Sequence, residues 1–178
     1  MLVYLIKMKN NLENLRSYVC ASEPKVNKLL RNNQDASELT FDELFKASSE
    51  PQTLFRVLKN KHIDTQNNLF SDKAYLSCSK DIDCFINHIN GDDIACIQFH
   101  IPQGFLTIEV SSLLPEQNDE KEVILPRGLV FNINSEEIYS GIEEIEKFLE
   151  IANSYLSAKE ICDIYQIKTI HFYKLTLP

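Results

Sequence analysis

Glu120 and Glu122 stand two positions apart in DEKEVILPRG (Asp119 to Gly128), just ahead of the apolar run Val123-Ile124-Leu125. In extended backbone both carboxylates point to one side and Lys121 to the other. Like charges placed together repel, and one of the pair is driven to hold its proton. A purely structural strand gains nothing from that. As solvated residues at a strand entrance the two would cost little, so this stretch alone leaves chemistry and decoration both open. Arg56 lies in the middle of the apolar run LFRVL. It reads either as an edge-strand arginine with a packed stem and a hydrated head or as a bidentate clamp for phosphate. In AYLSCS, strand alternation sets Tyr75, Ser77 and Ser79 on one face and Leu76 and Cys78 on the other. Two hydroxyls on one face suit the orientation of a partner carboxylate, although Ser79 could equally cap a helix through KDIDCF.

These residues need strands to hold them, and the sequence supplies them. QTLFRVL, KAYLSCS, DIACIQFHI, GFLTIEV, EVILP, LVFNI and KTIHFYKLTL read as short strands rich in Ile, Val, Phe and Leu. A helix, DIDCFINHIN, follows the second, and Pro102-Gln-Gly104 and Pro126-Arg-Gly128 are turns between strands. The first fifty residues read as helical. LENLRSYVC has helical spacing, Ser22 could cap EPKVNKLLRN with Pro24 in its first turn, and Thr40 with Glu43 forms a capping-box pattern for a third helix. Between the last two strands, Ile138, Ile142, Ile145, Leu149 and Ala152 form one helical stripe, with Glu136, Glu137, Glu143, Glu144 and Glu146 mostly off it. Ser157 and Glu160 give another capping box. The expected fold class is α+β, with helices first and then a mainly antiparallel sheet assembly carrying a helical insert at 136–165.

The 178 residues fit one domain, 1–178, divided into a helical part at 1–50 and a mostly β part at 51–178. A charge of −8 disfavours general nucleic-acid binding, which needs a basic surface. Five scattered cysteines and four histidines without ligand spacing argue for a reduced, metal-free protein. MLVYLIK is too short an apolar run for a membrane span and lacks the marks of a signal peptide, so a cytoplasmic location is expected. Delivery into a host cell would need another route, and Met8 is an alternative start to Met1. With four well-separated glycines there is no dinucleotide fingerprint and no phosphate loop.

Taken together, the order Arg56, Ser77-x-Ser79, then Glu120-x-Glu122 leading into VILPRG resembles the Arg-Ser-Glu class of mono-ADP-ribosyltransferases, a group of bacterial toxins and phage host-modifying enzymes. PKVNKLLRN resembles that family's early helix with Asn and Leu-Arg. Phe55-Arg56-Val57 resembles its Tyr-Arg-Gly strand without the glycine. Ser77-Cys78-Ser79 resembles Ser-Thr-Ser, followed by a helix bearing Phe85, and ACIQFHIPQGF resembles the strand ending in Pro-x-Gly.

The resemblance implies a two-sheet ADP-ribosyltransferase-like core with N-terminal helices packed on it, and NAD as co-substrate. NAD cleavage passes through an oxocarbenium-like sugar, as glycoside hydrolysis does, and nicotinamide leaves well without a metal. By the resemblance Glu122 binds the ribose and stabilises its positive charge, and Glu120 serves the acceptor, with Glu at that position pointing to arginine. Arg56 would hold an NAD phosphate and Ser77 would orient Glu122, with Phe55, Ser79 and Phe85 completing the NAD site. The loop Ser112 to Asp119 would read the target. The expected partners are NAD, a macromolecular acceptor that is most naturally a protein, and a neutralising partner protein. The alternatives are a nucleic-acid base as acceptor and a non-catalytic binding module on the same fold.

Overall fold

The computed structural model describes residues 2–21, 23–59, 63, 67–83, 91–117 and 121–178, without the side chains of 2–4. The chain opens with two helices, α1 (Leu2–Val19) and α2 (Lys25–Arg31). Pro24 directly precedes α2 in extended conformation, and its carbonyl accepts from Asn27 and Lys28. Ser22, the expected cap, lies outside the described residues. The third helix expected from TFDELF is not formed. Ser37–Leu39 and Asp42–Leu44 are single 3-10 turns. The capping box is not formed: Asp42–Leu44 has no side-chain cap, and the Thr40 hydroxyl donates back to the Ser37 carbonyl at 3.0 Å. Phe41 and Leu44 are then buried beside Leu15, Tyr18 and Tyr75.

Nine strands follow among the described residues: β1 (Lys46–Ala47), β2 (Gln52–Lys59), β3 (Leu69–Asp72), β4 (Leu76–Ser79), β5 (Asp93–Ile101), β6 (Leu106–Glu109), β7 (Glu122–Leu125), β8 (Leu129–Ser140) and β9 (Thr169–Thr176). A short helix, α3 (Val110–Leu113), leaves β6, and α4 (Ile142–Ile151) and α5 (Ala158–Tyr165) lie between β8 and β9. All seven strands read from the sequence are present. The two-residue β1 and the short β3 are additions, held by β6 and β8 respectively.

The strand order is β1-β6-β7-β4-β2-β5-β9-β8-β3, antiparallel throughout except for β5 beside β9. The ladder is continuous but narrows between β4 and β2 to one pair, Phe55 opposite Ser79. That seam divides one continuous order into two halves, where the resemblance implied two sheets. Leu76, Cys78, Val123 and Leu125 from one side share a core with Leu54, Ile97, Phe99 and Phe131 from the other, so the halves pack on each other. Phe99 and Phe131 meet with ring centroids 4.7 Å apart in this core.

The insert begins later than the sequence suggested. Residues 136–140 continue β8 and pair with β9 past an irregularity at Ile133/Ser135. Glu136 accepts from the Tyr173 hydroxyl at 2.7 Å, and Lys174 donates to Glu137 at 2.9 Å. These cross-strand partners outweigh the helical spacing of the isoleucines. Gly141, at φ 79, turns the strand into α4 through a conformation that a side chain would strain. The stripe that α4 buries is Ile145, Phe148 and Leu149, whereas Ile138 and Ile142 face outward. The Ser157/Glu160 capping box starts α5 as expected. Both helices cover Ile94, Cys96, Ile170 and Phe172. No helix among the described residues is long and apolar enough to cross a membrane.

Candidate active site

Antiparallel pairing of β4 with β7 puts Ser77 opposite Ile124 and Ser79 opposite Glu122. Residues opposite each other share a face, so Ser77, Ser79 and Glu122 lie on the same side of the ladder. The Ser77 hydroxyl donates to Glu122 Oε1 at 2.5 Å. On the far side of the seam, Arg56 Nη1 donates to the Ser77 carbonyl, also at 2.5 Å. The Arg, Ser and Glu read from three separate strands are thereby joined through one serine.

Glu122 is only 8% exposed, at the first position of an otherwise apolar strand, Glu-Val-Ile-Leu. Burying a carboxylate is costly unless it is hydrogen-bonded or paired. Ser77 supplies a hydrogen bond, and the guanidinium of Arg56 supplies positive charge nearby. Both Arg56 and Glu122 act electrostatically on Tyr18, whose hydroxyl burial pushes up to about 12. They act in the same way on Cys78, whose thiol burial also pushes up to about 12. Cys78 therefore stays a neutral thiol in the core. Its presence where the resembled motif has threonine takes nothing from the site face.

The remaining candidates divide. Phe55 packs at the edge of the core under α4 and α5, and its backbone forms the one bridge to Ser79. The Ser79 hydroxyl accepts from the Asp81 amide at 3.0 Å, so it caps the turn leaving β4. Glu120 and Phe85 lie outside the described residues, as do 84–90 of the expected helix and 118–119 of the expected recognition loop. The expected alternation through Glu120-Lys121-Glu122 does not extend past Glu122. Lys121 has φ 45, a left-handed conformation outside any strand. Its ammonium pairs with Asp81 at 2.8 Å, and its carbonyl accepts from the Lys80 amide. The residue ahead of the buried glutamate is thus tied to the turn that ends β4.

Sequence reasoning gave no role to the layer behind β4. Asn27 is buried and bonds to both backbone polar groups of Tyr75. The Tyr75 ring stacks on Phe41 at 4.2 Å, and its hydroxyl donates to Asp42 at 2.5 Å. Asp42 also receives Arg127 from the turn after β7 at 2.6 Å. Asn27 does appear in the helix resembling the family's early helix, but its partner is distant in sequence. In the loop expected to read the target, Glu116 pairs with Arg16 of α1 at 2.9 Å. Among the described residues no group of three or more His, Cys, Asp or Glu could hold a metal ion.

A family model described as "ADP-ribosyltransferase exoenzyme" matches residues 55–157, more than half of the chain and including Arg56, Ser77 and Glu122. No curated protein matches by sequence. Solved structures do. Plx2a, an ADP-ribosyltransferase toxin from Paenibacillus larvae, is 14% identical with a TM-score of 0.61, over 94% of this chain and 85% of that one. C3stau2 from S. aureus, solved with NAD, is 13% identical with a TM-score of 0.60, over 98% and 92%. BECa, an ADP-ribosylating toxin of a C. perfringens binary enterotoxin solved with NADH, is 15% identical with a TM-score of 0.64. The match to BECa covers 98% of this chain but 46% of BECa, so the chain spans about half of that protein. At these identities the structural likenesses establish the shared fold.

Proposed function

Because the chain belongs to the ADP-ribosyltransferase exoenzyme family, we propose that it cleaves the nicotinamide–ribose bond of NAD and passes ADP-ribose to an arginine of a target protein. The observation that carries this reading is the chain of contacts from Arg56 to the Ser77 carbonyl and from the Ser77 hydroxyl to Glu122. NAD as co-substrate is further supported by C3stau2 and BECa, solved with NAD and NADH.

The chemistry fits those groups. When the glycosidic bond breaks, nicotinamide leaves with the bonding electrons and positive charge builds on the ribose carbon and its ring oxygen. A buried carboxylate fixed in advance stabilises that charge without having to reorganise. Glu122 is such a carboxylate, and the Ser77 hydroxyl holds one of its oxygens. A guanidinium carries five donors in a rigid fork, more than one carbonyl uses. Arg56 can thus support Ser77 and reach an NAD phosphate from the same strand. Phe55, Ser79 and Phe85 complete the proposed NAD site, with Ser79 shaping the turn beside it. Glu120 is proposed to polarise the acceptor, and arginine as that acceptor rests on a glutamate at this position. A protein, not a nucleic acid, is proposed as target, in keeping with the −8 charge.

Purified protein incubated with NAD labelled in its adenosine should release nicotinamide and, with a cell lysate, label a protein on arginine. Absence of both nicotinamide release and label would sink the reading. Label appearing in RNA or DNA, or on another side chain, would overturn the acceptor while leaving the NAD chemistry standing.

A further inference from the structure

Asn27 lies on α2, ahead of the residues that the family model matches. It is 4% exposed and spends both ends of its amide on one residue. Its Oδ1 accepts from the Tyr75 amide at 3.1 Å, and its Nδ2 donates to the Tyr75 carbonyl at 3.1 Å. That paired donation and acceptance is what one residue of a neighbouring antiparallel strand provides. Here the neighbouring strand falls short. β4 pairs with β7 over four residues but meets β2 only at Phe55 and Ser79. Side chains take the backbone groups that a longer β2–β4 ladder would have taken, Asn27 at Tyr75 and Arg56 at the Ser77 carbonyl. The Tyr18 hydroxyl joins the same point, donating to the Tyr75 carbonyl at 3.3 Å and accepting from Asn27 at 3.3 Å.

We propose, on the NAD-cleavage reading above, that Asn27 is a positioning residue of the active site, standing in for a missing strand and thereby setting where Ser77 presents Glu122. Two links make the chain short. Tyr75 and Ser77 are two residues apart on one rigid segment, and the Ser77 hydroxyl holds the carboxylate. The Tyr75 ring has its own anchors in Phe41 and Asp42, so the strand's side-chain packing survives without Asn27. What Asn27 holds is the Tyr75 backbone, taking its amide and sharing its carbonyl with the Tyr18 hydroxyl. Substitution lets that backbone shift along the seam and carries Ser77 with it. A displacement of this kind, well removed from the reacting bond, lowers the chemical step more than it lowers ground-state binding.

The test uses the full chain and NAD hydrolysis in the absence of acceptor. Asn27→Ala removes both bonds. Asn27→Asp keeps the size of the side chain and the acceptor for the Tyr75 amide, but faces the Tyr75 carbonyl with a second oxygen. Both should lower kcat about 10- to 100-fold while KM for NAD changes little. Asp42→Asn is the control, because it loosens the same N-terminal layer through the Tyr75 hydroxyl and Arg127 while the Asn27 clamp stays whole. It should keep kcat close to that of the wild type at a temperature where all variants are folded. Amide hydrogen exchange on Asn27→Asp should rise over residues 75–79 and 122–125 but not over β5. An active wild type whose Asn27 variants keep kcat, or fall no further than Asp42→Asn, overturns the inference alone, as does a uniform rise in exchange. A wild-type protein that releases no nicotinamide overturns the function reading and this inference with it.

Discussion

The Ser77 hydroxyl donates to Glu122 at 2.5 Å while Arg56 holds the carbonyl of the same serine. One residue therefore orients the buried carboxylate with its side chain and ties it to the other half of the sheet with its backbone. Ser77→Ala keeps the charge of Glu122 but removes the donor that holds its Oε1. Nicotinamide release should fall about 10- to 100-fold in kcat, with KM for NAD less affected. Ser77→Thr keeps the hydroxyl and should retain much of the rate. Steady-state kinetics on the two variants decide it, and an alanine variant at wild-type kcat would show that the bond does not serve catalysis.

The two glutamates should separate by reaction. Glu122→Gln is nearly isosteric and keeps an acceptor for Ser77, but it removes the negative charge that the oxocarbenium-like sugar needs. Both transfer and NAD hydrolysis should fall by about 3 kcal/mol or more of transition-state stabilisation, on the scale of losing one preorganised electrostatic group. Glu120→Gln should lose transfer far more than hydrolysis, since only the acceptor step calls on it. Wild-type nicotinamide release from Glu122→Gln protein would falsify the assignment.

Much of this site was legible because strand alternation is a short-range property. Arg56 in LFRVL, Ser77 in AYLSCS and Glu122 in EVILP each declare a face, and their order along the chain suggested that they meet. Partners far along the chain were legible only where the resemblance supplied them, as for Ser77 and Glu122. Glu136 and Glu137 read as helical, yet they pair with His171, Tyr173 and Lys174 on β9. Asn27 reads as an ordinary helix residue, and its amide bonds to Tyr75, 48 positions away. Thr40 and Glu43 fit a capping box by type and spacing, but the chain is drawn into β1 beside β6 directly after the turn. The left-handed φ of Lys121 broke an alternation that the residue types alone implied.

Arg56 should matter to the fold as well as to NAD. Arg56→Ala removes the donor on the Ser77 carbonyl at the seam, where the backbone ladder is one pair wide. Leaving a partly buried carbonyl unpaired costs about 1–3 kcal/mol. Urea unfolding should show a loss of that size, together with a loss of NAD turnover. Arg56→Lys restores a charge and one donor but not the planar fork, so it should recover stability better than it recovers kcat/KM. Equal recovery of both would mean that Arg56 acts only as a structural tie.

Lys121 and Asp81 give a prediction in pH. The Lys121 hydrogen bond, followed by the Asp83 amide, holds the Asp81 carboxyl below its usual value of 3.8. A carboxylate whose pKa is depressed on folding stabilises the fold above its unfolded pKa, and that stability is lost as pH falls through the folded value. Wild-type protein should therefore exceed Lys121→Ala in urea midpoint at pH 7, and the gap should close as pH drops below about 4. The pair is largely exposed, so the gap at neutral pH should be at most about 1 kcal/mol and should shrink with added salt. The same substitution removes the side-chain tie between residue 121 and the turn that ends β4, while the Lys80 amide still reaches its carbonyl. Transfer to acceptor should then fall more than hydrolysis, because Glu122 keeps Ser77 while the residue next to Glu120 loses its ion pair with Asp81. A gap that persists undiminished into acid would show that Lys121 stabilises the fold by something other than its pairing with Asp81.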